Sequence, residues 1–195
     1  MTTILGISGS LTKGGSTRAV VDAALAAAKA HVPAVTIDVI DLRNVQLSFC
    51  DGRPVNEYPD DTPQVVARIQ AADAYVIGTP IYRGSYTGSL KNLLDHVPVE
   101  AMMGKVAGLV VTAATDHHYL SIDQELRPVL MWFNLHLVPG SVYVRSNQLQ
   151  GTEIIDDQVQ DHLRLLGEAV VDLQQSLGNL SQGPPPLSLW GRRRS

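Results

Sequence analysis

The chain has 195 residues, 45% of them hydrophobic, and a formal net charge of -4. That length and apolar content fit one domain with one sizeable core, and the weakly acidic balance lacks the basic footprint of a nucleic-acid binder. A single cysteine, Cys50, excludes an internal disulfide and a thiolate metal cluster.

Thr3 to Ile7 reads as a first strand and Thr17 to Ala30 as an alanine-rich helix stopped near Pro33. The β-branched run Val35 to Ile40 is a second strand, followed by an irregular stretch, Arg43 to Asp61. Thr62-Pro63 has the pattern of an N-cap with proline at the first helical position, and that helix ends near Asp73. Ala74 to Thr79 is a third strand, Tyr86 to Val97 a helix, and Lys105 to Thr112 a fourth strand. Ser121 to His136 reads as a helix interrupted by Pro128. Leu137 to Val144 holds a fifth strand broken at Pro139-Gly140, and Asp156 to Leu177 is the last long helix.

Strands alternating with helices imply βαβ units and a parallel sheet covered on both faces. Five strands suit an α/β, flavodoxin-like three-layer sandwich of order 2-1-3-4-5. Residues 1–178 form that domain; residues 179–195, with Gly183-Pro184-Pro185-Pro186 and Arg192-Arg193-Arg194, read as a solvated basic tail. The chain opens on no secretory signal and no apolar run approaches bilayer length, so the expectation is a cytoplasmic protein with no membrane partner. Cys50 adjoins Asp51, whose charge disfavours a thiolate, and a structural role is expected of it.

Ligands of such sheets bind beyond the carboxyl ends of the strands, at the topological switch point. The loop after the first strand is Gly6-Ile-Ser-Gly-Ser-Leu-Thr-Lys-Gly-Gly-Ser-Thr-Arg18. Gly6, Gly9, Gly14 and Gly15 do not have the spacing of a dinucleotide fingerprint. In the Walker pattern Gly15 takes the lysine position, which argues against a nucleoside triphosphatase. A hydroxyl-rich loop opening a helix remains. Ser8, Ser10, Ser16 and Thr17 offer hydroxyls, Arg18 offers charge, and the first helical amides point the same way. This suits one terminal phosphate monoester, although Ser16 or Thr17 as a plain N-cap is an equal reading of this loop alone.

The second loop, from Thr79 to Asp95, reads TPIYRGSYTGSLKNLLD. It resembles the flavin-loop signature T-P-x-Y-x-x-x-Y-x-G-x-L-K-x-L-L-D of the NADPH-dependent FMN reductase family. Within that family the chain is most similar to reductases that supply reduced flavin to sulfonate monooxygenases. The third loop and its helix match too: His118 stands at the family's histidine, and Asp123, Leu126, Arg127, Pro128, Val129 and Leu130 follow D-x-x-L-[KR]-P-V-L. Ala113 and Ala114 replace two glycines, and Gln124 stands where some sulfonate-type members carry an inserted tyrosine linked to a π-bulge.

The resemblance implies FMN and NADPH or NADH as cofactors, and hydride transfer between them without a catalytic side chain. It implies a homodimer or homotetramer and a flavin-dependent monooxygenase partner of the sulfonate or sulfone type. Ser8, Ser10, Ser16, Thr17 and Arg18 would hold the phosphate. Pro80, Ile81, Tyr82, Arg83, Gly84 and Ser85 would form a ledge beside the ring, with Thr112, Thr115 and His118 at the third wall. Adjacent His117 and His118 do not converge readily on one ion, so no metal site is expected. A quinone, azo or chromate reductase that keeps its flavin, and a flavodoxin-type electron carrier, are the competing functions. The low aromatic content, 5%, favours an open ring face and hence nicotinamide access over simple carriage.

Overall fold

The computed structural model describes residues 2–177, 183–186 and 189. The expected tail at 179–195 therefore falls largely outside the described residues. In chain order the elements are β1 (Thr3–Ser8), α1 (Ser16–His31), β2 (Thr36–Asp41), α2 (Thr62–Ala71), β3 (Ala74–Pro80), α3 (Gly88–His96), the single-turn α4 (Val99–Met102) and β4 (Val106–Ala113). A π-helical turn (Ile122–Leu126) then runs into α5 (Arg127–Met131). β5 (His136–Leu137), β6 (Val142–Arg145), β7 (Leu149–Gln150), β8 (Glu153–Ile154) and α6 (Asp157–Ser176) complete the chain.

The sheet order is β2-β1-β3-β4-β5, and every pairing in it is parallel. β6 also pairs in parallel with β4, further along the same edge, so the fifth position is filled by two short pieces. The gap between them contains Pro139, which has no amide hydrogen to give to a ladder. The sheet separates two cores. One face carries Ile4, Val76, Val106 and Val110 against Val21 and Leu25 of α1 and Val170 and Val171 of α6. The other carries Leu5, Tyr75, Ile77 and Leu109 against Val65 and Ile69 of α2, Leu90 and Leu93 of α3, and Leu126 and Leu130. β3 and β4 are buried on both faces, which explains their near-continuous apolar sequence.

Two glycines set the tight spacing of the first layer. A Cβ on Gly78 would lie 2.4 Å from Val21 Cγ2, and one on Gly167 would lie 2.2 Å from the Ala24 carbonyl oxygen. The first contact lets α1 press on β3; the second lets α6 cross α1 backbone to backbone.

Four local expectations are corrected. Neither Ser16 nor Thr17 caps α1: the cap is Gly15, at φ 73°, with no side-chain bond to the helix. Thr62 lies inside α2 rather than at its cap, and its amide is taken by the Asp60 carboxylate at 2.9 Å. The α3 helix begins at Gly88, because the Thr87 hydroxyl caps it by accepting from the Leu90 amide at 3.2 Å. The segment after the third loop is no long helix. Its first turn is π-helical, Pro128 sits near the start of α5, and Asn134 at φ 56° turns the chain into β5.

Candidate functional site

At the carboxyl ends of β1, β3 and β4 lies a cavity of about 440 Å³, a size typical of small-molecule sites. Thr12, Gly14, Ser16 and Thr17 line it from the first loop. Pro80, Ile81 and Tyr82 contribute from the second, and Thr112, Ala113 and Ala114 from the third. The first intrahelical bond of α1 runs from the Ala19 amide to Gly15 O at 2.9 Å. The amides of Ser16, Thr17 and Arg18 therefore have no partner within the helix, and the positive end of the helix faces this rim.

The floor is a buried pair. Thr17 Oγ1 and Thr112 Oγ1 lie 2.7 Å apart and join the first loop to the third. The Ile81 amide donates to the Thr112 carbonyl at 3.0 Å, so the second loop is pinned to the third as well. Beyond Ile81 the chain makes a two-residue turn. Tyr82 and Ser85 exchange backbone bonds of 2.9 and 3.2 Å around Arg83 at φ 54° and Gly84 at φ 85°. Positive φ at both central residues is the type I′ pattern, and Arg83 is strained in holding it. His118 meets this turn: a Cβ on Gly84 would lie 3.8 Å from His118 Nδ1. The Ser85 hydroxyl donates to Glu125 in the π turn at 3.3 Å. Tyr82, which lines the cavity, is half exposed at this end of it.

The expected residues thus divide. Ser16, Thr17, Pro80, Ile81, Tyr82 and Thr112 line the cavity. Ser8 is fully buried and its hydroxyl has no hydrogen-bond partner among the described residues. Ser10 is buried too, its hydroxyl paired with Thr12 Oγ1 at 2.9 Å, so it shapes the loop from beneath. Arg18 is directed elsewhere: its Nε donates to both Asp22 oxygens at 2.8 Å, and its Nη1 lies 3.7 Å from Asp41. Arg83, Gly84, Ser85 and His118 form the rim outside the cavity lining. Thr115 contributes its carbonyl to the Tyr143 hydroxyl, at 2.6 Å. Burial and the nearby Asp116 charge push the Tyr143 phenol up, which keeps it a donor.

Asp41, at the end of β2, anchors the back of the first loop. Burial alone would raise its pKa, but bonds from the Arg43 side chain and amide, with the charges of Arg43 and Arg18, outweigh that and lower it. Arg43 Nη1 in turn donates to the Lys13 carbonyl at 3.5 Å.

The sequence reading missed a fourth wall. Ser146, Leu149 and Gly151, after β6, line the same cavity. The only signal was weak: Gly151 between two short polar stretches, which forms the β7–β8 hairpin turn at φ 65°.

A doubly covered parallel sheet with a switch-point cavity, opened by free helix-start amides, defines a cofactor-binding protein of the flavodoxin-like class. Comparison with known proteins carries this further. Residues 2–150 match the family model described as NADPH-dependent FMN reductase. A NAD(P)H-dependent FAD/FMN reductase of Geobacillus thermodenitrificans is 41% identical over 175 residues, covering 89% of this chain and 94% of that protein. The NADH-dependent FMN reductase SfnF of Pseudomonas fluorescens is 26% identical over 170 residues, covering 87% and 90%. Among solved structures, the apo form of the NADH:FMN oxidoreductase EMOB superposes with a TM-score of 0.76 at 26% identity, covering 95% of this chain and 98% of that one.

The chain belongs to the NADPH-dependent FMN reductase family and is an NAD(P)H:FMN oxidoreductase. Its site fits FMN. The unpaired amides of α1 suit a single phosphate, and Gly14, where an added Cβ would meet nothing within 4 Å, leaves the approach to them open.

Proposed function

We propose that the cavity holds FMN with its phosphate at the start of α1 and its ring between the second and third loops, leaving one ring face open to the nicotinamide. Bound FMN supplies the hydride acceptor, N5, for the nicotinamide C4 hydride. Thr12 and the free amides at the start of α1 bind the phosphate, and the Ser16 hydroxyl joins them by exchanging its long 3.4 Å bond to the Gly151 carbonyl for one to the phosphate. Arg18, committed to Asp22, adds a favourable field rather than a direct bond. Pro80, Ile81 and Tyr82 orient the ring through a backbone that the Thr112 carbonyl fixes in place. Arg83, Gly84, Ser85, Thr115 and His118 shape the entrance through which the nicotinamide arrives. The observation that carries this reading is the convergence of three loops on one cavity at the switch point, with unpaired helix amides at one end of it.

The reduced FMN is passed to a flavin-dependent monooxygenase acting on sulfonates or sulfones. The relative named SfnF supports a diffusible-flavin role. The activity is cytoplasmic, where reduced nicotinamide is available. The working unit is a homodimer or homotetramer. A groove bounded by Leu94, Val97, Val99, Pro128, Val129 and Trp132, with Met131 55% and Trp132 59% exposed, supports this assembly.

The test is NADPH and NADH oxidation by purified protein with and without added FMN. Oxidation that requires free FMN, and that drives a flavin-dependent monooxygenase in a coupled assay, supports flavin as substrate. A yellow protein that reduces quinones without added flavin identifies a flavin-retaining reductase instead. Absence of oxidation under all conditions overturns both.

A further inference from the structure

We propose that the segment Ser146 to Gly151 is the ribityl-binding wall of the site, with Ser146 and the Gly151 carbonyl recognising the sugar-alcohol hydroxyls of the flavin. This rests on the FMN placement above and deepens it.

The segment spans the two ends of the cavity. At the phosphate end, the Ser16 hydroxyl donates to Gly151 O at 3.4 Å, and a Cβ on Gly15 would meet Thr152 Cγ2 at 3.3 Å. At the ring end, the Ser146 hydroxyl donates to Ala113 O at 3.2 Å, and Arg145 pairs with Asp116 at 3.3 Å. What must lie between a phosphate and an isoalloxazine ring is the ribityl chain.

The chemistry agrees with the position. Ser146 spends its only hydrogen on Ala113, so toward the cavity it offers lone pairs. The Gly151 carbonyl is likewise an acceptor. A wall of acceptors repels a phosphate and the ring carbonyls but suits a run of hydroxyl donors, while Leu149 beside them covers the carbon chain. The wall is also held in advance. The Gln148 side chain accepts from the Arg145 amide at 2.9 Å and donates to Asp156 at 2.9 Å, and the Gln148 carbonyl accepts from the Ile155 amide at 3.0 Å. Binding therefore orders little chain.

The experiment dissects the ligand by fluorescence titration with FMN, riboflavin and lumiflavin, which lacks the ribityl chain. The unaltered protein should bind riboflavin at least about ten-fold tighter than lumiflavin, as expected for two hydrogen bonds gained. Ser146→Ala should weaken FMN and riboflavin alike, by roughly five-fold, and leave lumiflavin binding where it was. Equal affinity of the unaltered protein for riboflavin and lumiflavin overturns the proposal, and needs no variant to fold. So does a Ser146→Ala protein that binds all three flavins as before, or one that loses lumiflavin equally, since the serine would then only anchor the Ala113 loop. Ser16→Ala separates the underlying reading: it should weaken FMN and spare riboflavin. If it changes neither, the phosphate lies elsewhere and the FMN placement fails, whatever Ser146 does.

Discussion

Thr17 and Thr112, on the first and third loops, share a buried hydroxyl–hydroxyl bond of 2.7 Å beneath the cavity. Each hydroxyl is the other's answer to burial. Thr112→Val strands the Thr17 hydroxyl and should cost about 1–3 kcal/mol. The double variant Thr17→Val with Thr112→Val should cost less than the two single losses summed. Urea unfolding of all four proteins measures the coupling; strict additivity would deny the pair.

The close crossing of α6 over α1 makes a second prediction. Gly167→Ala drives a methyl into the Ala24 carbonyl, 2.2 Å away, where backbone must move. A loss of about 3 kcal/mol is expected, the upper end of overpacking. Gly14→Ala is the control, since its methyl meets nothing within 4 Å. Its stability should stay within about 0.5 kcal/mol of the parent. Thermal denaturation of both, side by side, checks the contrast.

Asp41 predicts a pH signature. Its folded pKa is depressed, so its contribution is fully present above its unfolded value of about 3.9 and is lost as pH falls through that value toward the folded one. Asp41→Asn should destabilise the protein by about 1–3 kcal/mol at neutral pH. The gap between parent and variant should narrow steadily below about pH 4. Denaturant midpoints measured from pH 7 downward test it; a constant gap would remove Asp41 from the linkage.

Ser16 and Arg18 should differ in kind. Ser16 lines the cavity, whereas Arg18 is held by Asp22. Ser16→Ala should weaken FMN by about 1 kcal/mol at any ionic strength. Arg18→Ala should weaken it less, through a long-range field that added salt screens. FMN titrations at low and high salt separate the two, and an unscreened Arg18 effect would point to a direct bond.

Trp132, exposed beside an apolar groove, carries the assembly prediction. Trp132→Glu should lower the mass seen by sedimentation while leaving the far-ultraviolet circular dichroism intact. An unchanged mass would exclude Trp132 from any subunit contact.

The sheet order was readable because β3 and β4 are buried on both sides, and such strands show in sequence as unbroken apolar runs. The second loop was readable because its signature is dense. Residue type alone points to Ser8, Ser10 and Arg18 as phosphate ligands, yet type does not say which way a loop side chain faces. Asp22 and Asp41 claim the guanidinium, and burial removes the two serines from the cavity surface. The wall from Ser146 to Gly151 was invisible for the opposite reason. Its residues are ordinary, and only the parallel pairing of β6 with β4 brings them to the rim. The π turn also persists with Gln124 inside it, so a tyrosine at that position is not required for the extra residue per turn.

The break at Pro139-Gly140 bears on how the molecule behaves in a crowded solution. An uninterrupted strand alongside β4 would present a long row of open amides and carbonyls to any passing chain. Two short fragments with a ring-locked residue between them offer no continuous template, so this margin of the sheet is guarded against edge-to-edge aggregation.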